Sequence, residues 1–210
     1  YWALRGGTGG NFGVVLQVTY RMQRLDQVWA WAISWDAMHA AQVLTLMQAG
    51  YMKTGAPDAL GYMMNLGFQN GVPVYMVQGM FCGSREDGLA AIAPLMAIPS
   101  AQLLVDKTGT YPDMNVWLED HPYTLPDNLP DGIAETKASG YINTRLSPAD
   151  WQRIIDYFKT SPNPWSLAYL EPYGGAINRY PLADSAFVHR NVDADLVLSL
   201  IHISEPTRPY

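Results

Sequence analysis

Leu4-Arg5-Gly6-Gly7-Thr8-Gly9-Gly10-Asn11-Phe12-Gly13-Val14-Val15 stands near the start of the 210-residue chain. Four glycines fall within five positions and a fifth follows at Gly13. Glycine lacks a Cβ, so such a run can take positive φ and let a ligand approach its backbone. Successive free N–H groups can also form a concave nest for phosphate oxygens. The simpler reading is a loop that turns into a strand. A dinucleotide fingerprint, Gly-x-Gly-x-x-Gly between strand and helix, does not fit. Counted from Gly7, the third glycine is displaced by Phe12 and arrives one residue late at Gly13. Phe12, Val14, Leu16, Val18 and Tyr20 then alternate with Gly13, Val15, Gln17, Thr19 and Arg21, which is strand periodicity. The glycines therefore lead toward a predicted strand, and a nicotinamide Rossmann site is excluded.

Working outward, Trp2-Ala3-Leu4-Arg5-Gly6-Gly7 with Gly9-Gly10-Asn11-Phe12-Gly13-Val14-Val15 resembles the last segment of the flavin domain in berberine-bridge-enzyme-like oxidases. These are FAD-linked oxidases of the vanillyl-alcohol-oxidase fold. Thr8 interrupts their usual glycine run. A second stretch, Pro172-Tyr173-Gly174-Gly175-Ala176-Ile177-Asn178-Arg179 followed by Ala186-Phe187-Val188-His189-Arg190-Asn191, is similar to the same family in order and spacing. The resemblance implies residues 1–24 as the end of an FAD-binding domain and 25–197 as a substrate-binding domain. It further implies an upstream FAD domain of the same polypeptide, because the motif begins at the first residue. Residues 198–210 resemble the in-frame translation of a sequencing adapter and are expected to be an artefact.

Composition bounds the rest. Hydrophobic residues make up 49% and charged residues 15%, which suits one globular core rather than a disordered chain. The formal charge of −6 argues against a nucleic-acid partner. No apolar run approaches the ~20 residues that span a bilayer, so no membrane partner is expected. The lone Cys82 excludes an internal disulfide and a multi-cysteine zinc site, and is expected as a buried small hydrophobe. Ten Met and seven Trp are expected to fill core, with some lining a pocket.

The period of the pattern switches repeatedly. Strands are expected at 28–35, 60–68, 73–81, 103–110, 133–144 and 165–170, with another starting near Leu196. Asn70-Gly71 signals a hairpin between the second and third. Helices are expected at about 37–52 capped by Asp36, after Ser84 with Asp87, at 111–120, and after Ser147 with Pro148 at its first position. Residues 121–133 carry three prolines and read as a surface loop. Hairpin strands with interspersed helices predict α+β, a mostly antiparallel sheet with helices on one face.

The family resemblance implies FAD as cofactor and a small-molecule substrate. A hydroxyl proton would leave to a base, a hydride would pass to flavin N5, and dioxygen would reoxidise the flavin to give hydrogen peroxide. Gly9, Gly10, Asn11, Phe12, Gly13 and Val14 are the candidate FAD contacts, through backbone N–H groups and the Asn11 amide. Alternation places Glu171 and Tyr173 on one face and Leu170, Pro172 and Gly174 on the other. Tyr173 is the candidate to act on a substrate hydroxyl and Glu171 to bind one, against a purely structural reading of both. A tyrosine of ordinary pKa near 10 needs help to act as a base. His189, Arg190 and Asn191 are read as supporting residues, and Asp193 and Asp195 as loop or strand-edge carboxylates. His39 and His121 have no partner at metal-ligand spacing. Without a Gly-x-Ser-x-Gly elbow or a phosphate-binding Gly-Lys-Ser/Thr loop, hydrolase and kinase readings have no support. The alternative to an oxidase is a binding module of the same fold without turnover.

Overall fold

A computed structural model describes residues 1–8, 10–53, 55–69, 71–120, 133–161 and 164–203. Its centre is a seven-stranded sheet: β1 (Gln27–Trp35), β2 (Leu60–Gln69), β3 (Val72–Phe81), β4 (Gln102–Thr110), β5 (Ile133–Ile142), β6 (Leu167–Pro172) and β7 (Ala194–Ile203). The spatial order is β4-β1-β3-β2-β6-β7-β5. Every pairing is antiparallel. The helices are α1 (Ala40–Gly50), α2 (Arg85–Met96), α3 (Tyr111–Asp120), α4 (Pro148–Phe158) and the single turn α5 (Ala176–Arg179). The fold is α+β, as the pattern predicts.

Strand β1 is buried on both faces. Trp29, Trp31, Ile33 and Trp35 point into the main core beneath α1, α2 and α4. Val28, Ala30 and Ala32 point the other way, into a second core closed by Met114 and Leu118 of α3. Thus α1, α2 and α4 share one face, and α3 covers the opposite face only at the β4-β1-β3 end. The same opposite face beyond β3 has no described helix over it. That asymmetry leaves the β6-β7-β5 end open.

Local chemistry explains the helix starts. The Ser84 side chain accepts the Asp87 N–H at 3.0 Å. Ser147 accepts the Asp150 N–H at 3.2 Å while Asp150 accepts the Ser147 N–H at 3.1 Å, a reciprocal capping box ahead of Pro148. Asp36 departs from expectation: its side chain makes no cap bond, and a 3-10 turn at Ala37–His39 precedes α1. The hairpin turn has Gly71 at φ +77°, as a tight turn requires, while Asn70 lies outside the described residues.

Two other expectations are corrected. Cys82 is exposed, because it sits in the turn after β3 rather than inside the sheet. The alternating stretch from Phe12 to Arg21 forms no strand. Val14 and Leu16 are 88% and 92% exposed, as are most of Phe12, Tyr20 and Met22. A strand requires a partner ladder for its N–H and C=O groups, and no described strand of this chain lies alongside it. Residues 198–203 continue β7 and pair with Ile133–Ala138 of β5. The expected boundary at 197 therefore falls within a strand. Residues 204–210 and most of the proline-bearing loop, 121–132, lie outside the described residues.

Candidate functional site

The open end of the sheet presents a polar row. Antiparallel register sets Glu171 of β6 opposite Asp195 of β7, and Asp195 opposite Tyr141 of β5. Residues directly opposite on neighbouring strands share a face, so two carboxylates and a phenol stand side by side there. One step along the strands, Asn65, Tyr169 and Val197 form the next row. The other face of the same strands is apolar, with Ala168, Leu170 and Ala194 buried in the main core. The period of two therefore gives Glu171 and Leu170 opposite fates, as the sequence predicts.

Tyr173 follows β6 directly and is fixed through its backbone. Its N–H donates to the Asp193 carbonyl at 3.0 Å. Asp193 is in turn held by Gln48 of α1, whose amide donates to Asp193 Oδ2 at 2.8 Å and to the Thr144 carbonyl at 2.9 Å. The Leu146 N–H donates to Gln48 Oε1 at 3.0 Å. This buried node joins α1, the β5–α4 connection and the start of β7. Asp193 was expected as a loop carboxylate; it is an anchor for the backbone that carries Tyr173.

Tyr173 belongs to a cluster of four rings. Tyr141 lies 5.4 Å from Tyr173 and 4.1 Å from His189, while Phe187 lies 5.4 Å from His189 and 6.1 Å from Tyr173. The Tyr173 hydroxyl reaches the Tyr141 hydroxyl at 3.5 Å, a long contact. Burial, this hydroxyl contact and the charges of Asp195 and Glu171 push the Tyr173 phenol well above its ordinary value. All of these causes disfavour the phenolate. Tyr173 is therefore held in its protonated form, the opposite of what a base requires.

Asp195, expected as a loop or strand-edge carboxylate, stands instead in an inner strand of the sheet. It lies within β7 beside Glu171, and its Oδ1 is enclosed without a hydrogen-bond partner. An enclosed carboxylate oxygen without a donor is an acceptor in need of one. The alternation Ala194-Asp195-Leu196-Val197 carried the signal, but only the register with β6 shows which carboxylate it meets.

The segment between β6 and β7 folds back over the N-terminal residues. Gly174 has its Cα packed against the Met52 carbonyl, so a side chain has no room there. Arg179 of α5 makes a two-pronged pair with Asp58, each contact 2.8 Å. The Ala186 N–H donates to the Arg5 carbonyl at 3.0 Å, and Trp2 Nε1 donates to the Ala183 carbonyl at 3.0 Å. Gly6, at φ +111°, abuts Phe187. Arg190 donates to the Ile177 carbonyl at 3.0 Å and to Ser185 Oγ at 2.7 Å. Arg190 thus meets a carbonyl and a hydroxyl rather than a carboxylate, and His189 packs against the Tyr141 and Phe187 rings. A cleft of about 660 Å³ lies between these parts, with Glu171 and Tyr173 in its wall.

The glycine run lies beside this region without closing on it. Gly10 and Gly13 have open space where a Cβ would stand, and Gly13 takes φ +144°. Asn11 Nδ2 donates to Thr8 Oγ1 at 2.7 Å, which tightens the turn. Phe12 and Val14 are exposed. Gly9 lies outside the described residues. The open glycines and exposed backbone fit a group that approaches the main chain closely, as a flavin nucleotide does. Among the described residues no cluster of three or more His, Cys, Asp or Glu could hold a metal. No helix of the described residues is long and apolar enough to cross a membrane.

No family model matches the chain. Two proteins of Bacillus subtilis (strain 168), both described as uncharacterized FAD-linked oxidoreductases, are similar to it. YgaK is 21% identical over the whole chain, which spans 44% of that protein. YvdP is 26% identical over 90% of the chain, which spans 41% of that protein. The chain thus spans less than half the length of these relatives. Among solved structures, the berberine-bridge-enzyme-like protein 28 of Arabidopsis thaliana superposes with a TM-score of 0.78 at 16% identity, over 96% of this chain and 42% of that one. The xylooligosaccharide oxidase of Myceliophthora thermophila C1, solved in complex with xylobiose, gives 0.73 at 18% identity, over 98% and 46%. The chain thus shares its fold with berberine-bridge-enzyme-like structures and is similar in sequence to proteins described as FAD-linked oxidoreductases.

Proposed function

We propose that this chain supplies the substrate-binding face, and one cofactor-contacting segment, of an FAD-dependent oxidase acting on the alcohol group of a sugar or a hydroxylated secondary metabolite. The observation that carries the reading is the Glu171–Asp195–Tyr141 row beside Tyr173, on a sheet face that no described helix covers. Gly10, Asn11, Phe12, Gly13 and Val14, with Gly9, would hold the cofactor through backbone N–H groups. When bound, FAD supplies the hydride acceptor and, on reoxidation by dioxygen, the route to hydrogen peroxide.

The chain's own residues divide the remaining work. Tyr173, kept protonated by burial and its acidic neighbours, donates a hydrogen bond and orients the substrate oxygen. Glu171, in the wall of the cleft, accepts the hydroxyl proton, with the Asp195 carboxylate beside it in the row. Tyr141 and Phe187 pack against the Tyr173 ring and His189 packs against both of them, which fixes the ring's place. Tyr173 and Glu171 thus remain the proposed catalytic residues, with the proton acceptor moved from the phenol to the Glu171 carboxylate.

The test is peroxide release by the full-length product of the source gene on a panel of sugars and alcohols. Glu171→Gln and Asp195→Asn are each expected to lower kcat by roughly 10²–10⁴-fold, the range of general acid–base contributions, with smaller change in KM. Unchanged kcat in both variants refutes the proton-acceptor assignment. A protein that binds panel members without bleaching flavin favours the binding module.

A further inference from the structure

The cleft is electrically lopsided. Its lining combines an acid and a phenol, Glu171 and Tyr173, with two guanidinium groups, Arg5 and Arg190. Four other arginines of the chain, Arg24, Arg85, Arg153 and Arg179, sit within 4 Å of a carboxylate. Arg5 and Arg190 have hydroxyl, carbonyl and ring neighbours instead. Arg5 donates to the Tyr180 hydroxyl at 2.5 Å and lies over the Tyr180 ring at 5.8 Å. Arg190 lies over the same ring at 4.9 Å and over Phe187 at 4.7 Å. Among the described residues the Arg190 guanidinium donates to Ile177 and Ser185, and its Nε is enclosed without a partner. Two guanidinium charges therefore share the Tyr180 ring with no described carboxylate within ion-pair reach of either.

Guanidinium groups stacked on aromatic rings keep their edges free for oxyanions. Arg190 is locked into the wall and contributes its charge from behind. Arg5 is exposed and presents unused donors to the cleft. A ligand that satisfies both kinds of group carries a hydroxyl for Glu171 and Tyr173 and an oxyanion for Arg5 and Arg190. The volume, about 660 Å³, is in the range of sites for sugar-sized and drug-sized ligands.

We propose that the cleft binds a hydroxylated carboxylic acid, such as a sugar acid, with its carboxylate against Arg5 and Arg190 and its reacting hydroxyl against Glu171 and Tyr173. This rests on the oxidase reading of the same site and narrows its substrate class. A diphosphate group would share the oxyanion chemistry, so the experiment separates the two.

D-glucuronate, D-glucose and ADP are titrated into the 210-residue chain at low and high salt, with binding followed by calorimetry and by NMR. The expected result is D-glucuronate bound at least about tenfold tighter than D-glucose at low salt, with the preference shrinking as salt screens the charges. Arg5→Gln abolishes the preference and Arg5→Lys keeps part of it, since the charge survives without the planar fork. Arg190→Gln tests the second charge, and because Arg190 braces the segment before β7, Arg5→Gln carries the test if that variant unfolds. Equal affinity for the acid and the neutral sugar overturns the proposal. ADP binding without D-glucuronate binding also overturns it and assigns the guanidinium groups to a diphosphate. The titration needs no flavin. An acid preference with no oxidation by the full-length protein defeats the oxidase reading alone, whereas oxidation of neutral and acidic sugars alike defeats this proposal alone.

Discussion

Replacing Gly88 with alanine sets two effects of opposite sign against each other. Gly88 lies in the first turns of α2, Arg85–Met96. In an exposed helix interior, Gly→Ala is worth about 1 kcal/mol of added stability. Here the Cα faces Trp29, which is wholly buried. A Cβ at this position would meet Trp29 Cε3 and lie 2.8 Å from Cζ3 and 3.2 Å from Phe81 Cβ. Carbon atoms prefer roughly 3.5–4.0 Å, so the ring or the helix must retreat by well over half an ångström. The ring cannot swing freely. Its Nε1 donates to Asp106 at 2.8 Å, and it stacks near Trp31 at 6.4 Å. Overpacking of this kind costs about 1–3 kcal/mol, more when a hydrogen bond is also stretched. With the hydrogen-bonded ring unable to swing aside, the clash sits at the upper end of that range and outweighs the propensity gain, for a net loss approaching about 2 kcal/mol. For a chain of this size that lowers Tm by roughly 4–8 °C. Circular dichroism melts of the wild type and Gly88→Ala measure it. Gly50→Ala, where no atom lies within 4 Å of the added Cβ, is the control and should be neutral or slightly stabilising. A Gly88→Ala protein as stable as the wild type would refute the packing of α2 on β1.

The remaining predictions concern the site and its supports. Gln48→Ala removes both the donor to Asp193 and the acceptor for Leu146, and should destabilise by about 1–3 kcal/mol in urea unfolding through the polar groups left buried. Gly6→Ala combines a positive φ with a Cβ placed 2.5 Å from Phe187 Cβ, and should raise hydrogen exchange across 1–8 and 183–187 while the main melt barely moves. Stability should fall as pH rises above about 10. Tyr173, Tyr62 and Tyr75 all have phenols pushed up in the fold, first by burial, so the unfolded chain loses those protons earlier and binds fewer than the native state. Their contribution is complete below the unfolded pKa and is lost as pH climbs through the folded ones. Tyr173→Phe should flatten that fall, and an unchanged slope would contradict the half-buried, acid-flanked setting of Tyr173.

Caps, turns and periods are nearest-neighbour information, and they were legible without a structure. Ser84 and Ser147 announce α2 and α4 because a short side-chain oxygen can reach only the N–H groups of its own first turn. The alternation of Leu167–Pro172 places Glu171 away from the core whatever the rest of the chain does. The same local information misled at Phe12–Arg21, where a strand-like period has no described partner, and at Cys82, where residue type said buried and the turn said otherwise. The strand order β4-β1-β3-β2-β6-β7-β5 and the placement of α3 on the face opposite α1, α2 and α4 are properties of distant segments. So is the meeting of Glu171, Asp195 and Tyr141, residues that share a row only because three strands pair in one register. Sequence alone determined where α2 and α4 begin and which face Glu171 takes, since those depend on side-chain chemistry within a few positions. Which carboxylate faces which phenol, and which cations share one ring, depends on contacts between residues far apart in the chain, and the tertiary structure alone decided them.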